Sequence, residues 1–129
     1  MDRQKIVLYW LTTSDDDWTV AQHLFEKGDY TYALFFGHLT VEKLLKALYV
    51  HKTGNTPPYT HRLVYLAEKA GLKPSEEQLE LLEIITDFNI EARYPDEKFM
   101  FKKRCTKEFT EAYLQKIEVI REWLKKQIR

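Results

Sequence analysis

A chain of 129 residues is the size of one domain, with enough interior to bury a single core. At 44% hydrophobic and 31% charged, with only 4 Gly and 4 Pro, it excludes a disordered or turn-rich protein and points to few, long helical elements. The 20 Lys and Arg residues balance 20 Asp and Glu, so duplex nucleic acid cannot be held by bulk charge and would need a local basic patch.

The spacing predicts a first helix over residues 3–27, closed by Gly28. Val7, Leu11, Ser14, Trp18, Ala21 and Phe25 fall on one face; the polar run 12–17 could instead cap a new helix at Ser14, but the stripe keeps its phase across it, which favours one continuous helix. A second helix is expected from Asp29 to Lys52. It is apolar on most sides, through Tyr30, Ala33, Leu34, Phe36, Val41, Leu44, Leu45 and Leu48, which places it in the middle of a bundle. Residues 53–59, TGNTPPY, must be loop, because Gly54 and two prolines end the helix.

Thr60 is expected to cap a short third helix running to Ala70 and stopped by Gly71. Ser75 with Gln78 forms a capping box for a fourth, which carries Leu79, Leu82, Ile84, Ile85 and Phe88 and ends before Pro95. Thr106 can cap the last, with its stripe of Phe109, Tyr113, Ile117, Ile120 and Leu124. No stretch shows strand alternation, and no repeat or linker divides the chain. The expectation is a single all-α domain over residues 1–129, an up-and-down bundle of four to five helices packed antiparallel.

The lone Cys105 excludes an intramolecular disulfide and a cysteine-based zinc site. The N-terminus, MDRQKIV, has no apolar signal core, and no apolar run reaches transmembrane length, so a cytoplasmic protein without a membrane span is expected. There is no Gly-rich phosphate loop, no H-E-x-x-H and no Glu-x-x-His pair, so neither a metal nor a cofactor is expected.

His38, Glu42 and Lys46 stand four residues apart and line one stripe of the second helix. That is an ordinary helix-surface ion pair, or a polar stripe kept because it faces a groove. His61 and Arg62 fall in the first turn of the expected third helix, and Asp17 is the member of the 15–17 acidic run nearest the apolar stripe. Arg93 and Tyr94 sit against Pro95 at a helix end. Residues 75–91 hold six acids and no base, and residues 98–107 hold five bases and no acid. The two segments pair with each other, within a chain or across a dimer, or the basic one forms a patch for RNA or a phosphate ligand.

Taken in order, DDDWTVAQHLFEKGDYTYALFFGHLTVEKLLKALYV (15–50), PPYTHRLVYLAEKAGL (57–72) and NIEARYPD (89–96) resemble the HEPN domain family over nearly the whole chain. The resemblance implies a helical bundle, commonly a homodimer, from prokaryotic contexts that include a partner nucleotidyltransferase in toxin–antitoxin pairs. Many HEPN proteins are metal-independent ribonucleases with an Arg followed four to six residues later by a His. Here Arg93 is followed by Tyr-Pro-Asp-Glu-Lys-Phe-Met-Phe, and all four histidines precede residue 62. No catalytic residue is assigned on that pattern, and the ARYP type is similar to members proposed to bind nucleotides.

The leading expectation is a nucleotide or other phosphate-bearing ligand held by Arg93, Tyr94, Lys46 and Arg62 and oriented by His38, Glu42 and His61, with Asp17 nearby. An alternative is a pure interaction module in which Tyr94 packs in an interface. A third is a ribonuclease with its base relocated to His38 or His61.

Overall fold

The computed structural model describes residues 2–128, and among them are six helices and no strand. These are α1 (Arg3–Glu26), α2 (Tyr30–Thr53), α3 (Leu63–Lys69), α4 (Glu76–Arg93), α5 (Met100–Arg104) and α6 (Lys107–Lys126). The architecture is the expected all-α bundle, with one helix more than anticipated. No described helix is long and apolar enough to cross a membrane.

α1 is continuous through its polar run. The reason is local: Ser14 is buried, and its Oγ donates to the Thr40 carbonyl at 2.7 Å, so the polar side chain is satisfied inside the α1–α2 contact. Trp18 and Ala21 extend the same buried stripe. At the far end of this antiparallel pair the Arg3 guanidinium lies against Gly54 and 3.5 Å from the His51 carbonyl. Gly54 closes α2 at φ +73°, where a side chain would be strained and would also collide with Arg3.

α2 is touched by every other helix, which is why it is apolar nearly all round. Leu34, Leu44, Leu45 and Leu48 are fully buried. Gly37 lets α6 approach closely, since a Cβ there would lie 2.8 Å from Ile117 Cδ1. α6 is clamped to α1 by Arg121, which stacks over Trp18 at 4.8 Å and bonds Asp15 at 3.2 Å. Phe88 of α4 gathers Phe101, Phe109 and Tyr113 around it, joining α4, α5 and α6.

Two expectations are corrected. The third helix begins at Leu63, so His61 and Arg62 lie in the preceding extended segment and not in a first turn. Thr60 Oγ1 accepts from the Arg62 amide at 3.2 Å, a tight local turn that competes with capping, and the Leu63 amide finds Thr86 Oγ1 of α4 instead. The segment after Pro95 also holds a helical turn that was not anticipated. Asp96 accepts from the Met100 amide at 2.8 Å and starts α5 behind Phe99, which is left-handed at φ +52°. Five residues are too few for a period to show.

Candidate functional site

Three of the polar residues spaced by four on α2 point into the protein. His38 is fully buried, and Glu42 and Lys46 are nearly so. A helix buries an ionised carboxylate only when it is paired and hydrogen-bonded, because desolvation costs several kcal/mol per ion. Glu42 meets that condition on both oxygens: Oε2 accepts from Lys46 Nζ at 3.1 Å, and Oε1 accepts from His61 Nδ1 at 2.7 Å. Lys46 Nζ in turn sits 5.3 Å from the centre of the Trp10 ring of α1, a cation over an aromatic face. The ordinary surface ion pair is therefore replaced by a buried chain running Trp10–Lys46–Glu42–His61.

His38 completes the arrangement from the backbone side. Its Nε2–H donates to the His61 carbonyl at 3.0 Å, and the same nitrogen lies 3.8 Å from Glu42 Oε1. With Nε2 as donor, the neutral ring carries its lone pair on Nδ1, which is buried without a partner. Burial holds the His38 pKa below its ordinary 6.5. The His61 carbonyl and the Glu42 charge oppose that shift, while His61 and Arg93 reinforce it. Arg93 is thus close enough for its charge to be felt at His38.

His61 is consequently gripped twice, by its carbonyl and by its ring, while its side chain remains 37% exposed. With Nδ1 committed to Glu42, Nε2 is the nitrogen left for chemistry or binding. Arg93 is held less tightly: Nη2 donates to the buried Asn89 at 3.3 Å, and the guanidinium lies over Phe35 at 5.5 Å. The rest of its fork faces solvent.

The structure brings His38, Glu42, Lys46 and His61 together by direct contact, while Arg93 contacts Asn89 and Phe35 and reaches the group only through its charge at His38. Arg62 follows His61 in the chain; it is exposed and makes no ion pair among the described residues. Asp17 does not join the group: its carboxylate is 2.7 Å from Lys43, a strut between α1 and α2. Tyr94 is 71% exposed as the C-cap of α4 and makes none of the contacts of Arg93. Trp10 and Phe35 were missed because each is recruited by a partner distant in sequence, and Asn89 because its bond to Arg93, four residues on, has only the ordinary spacing of one helical turn. Tyr59, fully exposed, holds its ring 6.2 Å from that of His61.

No described group of three His, Cys, Asp or Glu side chains could hold a metal. The histidine nitrogens that face Glu42 and the His61 carbonyl act as hydrogen-bond donors, and so are not free as ligands. Burial pushes the Cys105 thiol up to about 11, so it packs as a small apolar group.

A HEPN domain family model matches residues 7–127. The chain belongs to the HEPN family. No curated protein and no solved structure matches it. Within this HEPN chain the match spans α1 to the end of α6, so every residue of the cluster falls inside it.

The state of His38 has a measurable consequence. A histidine whose folded pKa lies below its unfolded value binds more protons when unfolded. Its contribution is fully present above about pH 6.5 and is lost as pH falls from there toward the folded pKa. His38→Gln keeps a donor for the His61 carbonyl but cannot titrate. Urea unfolding at a series of pH values is expected to show a shallower acid-side loss of stability in this variant than in the wild type.

Proposed function

We propose that this HEPN chain binds a nucleotide or another phosphate-bearing ligand at the edge formed by His61, Arg62 and Arg93. It would work beside a nucleotidyltransferase partner in a toxin–antitoxin-like pair. The observation that carries the ligand reading is the double grip on His61, which leaves Nε2 of a partly exposed ring open, with the exposed Arg62 adjacent in the chain and the Arg93 charge felt at the neighbouring His38. A buried ionic network gives little net stability, so its presence here favours a role in positioning. Arg93 supplies a planar fork suited to phosphate, pre-oriented by Asn89 and Phe35. The pairing with a nucleotidyltransferase rests on the family alone.

Calorimetric titration with ATP or GTP is expected to show binding that weakens with salt. Arg93→Ala is expected to weaken it about 10–100-fold, the ~1.5–3 kcal/mol of a charge-assisted hydrogen bond, with little change in Tm. Absence of both heat and thermal shift at millimolar nucleotide would remove the reading. If Arg93→Ala instead disrupts association with a protein partner, the pure interaction module takes its place.

A specific contact favours a second reading. In the Glu42–His61 pair a carboxylate holds Nδ1–H and leaves Nε2 as an acceptor, which is the orientation a general base needs. His61 Nε2 would take the proton of an RNA 2′-hydroxyl as its oxygen bonds to phosphorus, the P–O5′ bond would break to leave a 2′,3′-cyclic phosphate, and the departing 5′-oxygen would take a proton from solvent water while Arg93 balances the phosphate charge. Cleavage of RNA in EDTA that is lost in His61→Ala would establish this ribonuclease. Intact RNA under those conditions would dismiss it.

A further inference from the structure

The end of the α1–α2 pair that carries Arg3 and Gly54 holds a cavity unused by the site described above. Its volume is about 780 Å³, and none of His61, Arg62 and Arg93 lines it. Pockets for small ligands are commonly about 300–1,000 Å³. Helical spacing builds one wall: Arg3, Ile6 and Trp10 form one stripe of α1, and Lys5 with Tyr9 forms the stripe beside it. Val50, near the end of α2, and Pro57 of the following loop line it from the other helix.

The walls are aromatic and open. Tyr9 is 59% exposed, and its ring meets that of Trp10 edge-on at 5.2 Å, so the two rings form a corner. Ile6, Val50 and Pro57 add apolar surface around that corner. Water against such a concave apolar wall is readily displaced by an apolar body of matching shape.

The rim is cationic. Arg3 and Lys5 are exposed, and neither has an ion-pair partner among the described residues. Arg3 is nonetheless held in place, against Gly54 and the His51 carbonyl. The acid that lines the cavity, Asp2, accepts from the Gln4 amide at 2.9 Å as the cap of α1, so its carboxylate serves the helix end and not the two cations.

Aromatic walls beneath two unpaired cations are complementary to a flat apolar body that carries a negative group. We propose that this cavity binds an aromatic organic anion, with its rings against Tyr9 and Trp10 and its carboxylate or sulfonate at Arg3 and Lys5. The planar fork of Arg3 suits two oxygens of such a group, and Lys5 adds a point charge. Arg3, Lys5 and Ile6 precede residue 7, so the family match does not account for this cavity. The proposal is likewise independent of the phosphate-binding reading, because the two sites share no residue that would touch a ligand in both.

Two fluorescent probes with the same apolar body test it on the full chain. Anilinonaphthalene sulfonate carries the anion, and N-phenylnaphthylamine lacks it; both brighten on entering an apolar site. Both are expected to bind the wild type. Arg3→Gln/Lys5→Gln changes only exposed side chains and is expected to weaken the sulfonate by at least ~10-fold while leaving the neutral probe unchanged. Tyr9→Ala is expected to weaken both probes by about 3–10-fold. Far-UV circular dichroism confirms that each variant is folded. No gain in fluorescence with the sulfonate, a sulfonate affinity indifferent to the charge variant, equal loss of both probes in that variant, or indifference to Tyr9→Ala would each overturn the proposal.

Discussion

Replacing Glu42 with leucine is expected to lower the stability of the protein by about 3–5 kcal/mol, the cost of removing one partner from a buried ion pair. The loss comes less from the missing contact than from what remains. Lys46 Nζ stays buried with only the Trp10 face beside it, and the His61 ring loses the carboxylate that orients it. Urea unfolding measures the loss directly. The second variant, Glu42→Leu/Lys46→Met, removes both charges and substitutes side chains of similar bulk. Its stability is expected to return to within about 1–2 kcal/mol of the wild type, because a buried ion pair is often matched by a well-packed apolar one. Nucleotide titration then separates the two roles. If the network exists to position His61, the double variant is folded and fails to bind; binding at the wild-type level would make the network structural.

That distinction could be posed from the sequence only in part. The spacing of His38, Glu42 and Lys46 is visible to inspection, and so is their presence on an otherwise apolar helix. Whether they face water or the interior was not, because period alone does not fix which side of a central helix is free. The answer depends on the 53–62 loop, whose course is set by Gly54, Pro57 and Pro58 and by the short turn at Thr60. Once that loop returns along α2, His61 meets Glu42 across nineteen residues of sequence. Trp10 and Phe35 join by the same long-range packing, and nothing near them in the chain signals it, whereas Asn89 bonds Arg93 one helical turn on. Asp17 illustrates the reverse: its place beside the apolar stripe was legible, and its partner, Lys43, was not.

The long helices were more legible because their burial is dictated by repeated spacing. α1 kept its phase over Ser14, and the Ser75–Gln78 capping box formed with both reciprocal bonds. Where local side chains compete with the backbone, the boundary moved, as at Thr60. Where a helix is little longer than a single turn, as in α5, there was no period to find.

Phe88→Ala is expected to cost a similar amount, about 3–5 kcal/mol, and to act on the site from a distance. Phe88 is fully buried, and its ring meets Tyr113 edge-on at 5.2 Å, Phe109 at 6.2 Å and Phe101 at 5.7 Å. These contacts fix the C-terminal half of α4 against α5 and α6, and Arg93 stands five residues further along the same helix. Deleting the ring removes its apolar burial and leaves a cavity between three helices that can close only partly. Phe88→Leu keeps most of the volume but loses the edge-to-face geometry, each such pair contributing about 0.5–1.5 kcal/mol beyond burial. Thermal unfolding of the two variants therefore divides the cost between filling and orientation. Nucleotide titration at a temperature where both remain folded tests the link to function. Weaker binding in Phe88→Ala than in Phe88→Leu is the result expected if the aromatic cluster holds the end of α4, and with it Arg93, in place. Equal binding would confine the cluster to stability and leave Asn89 and Phe35 as the only supports of that guanidinium.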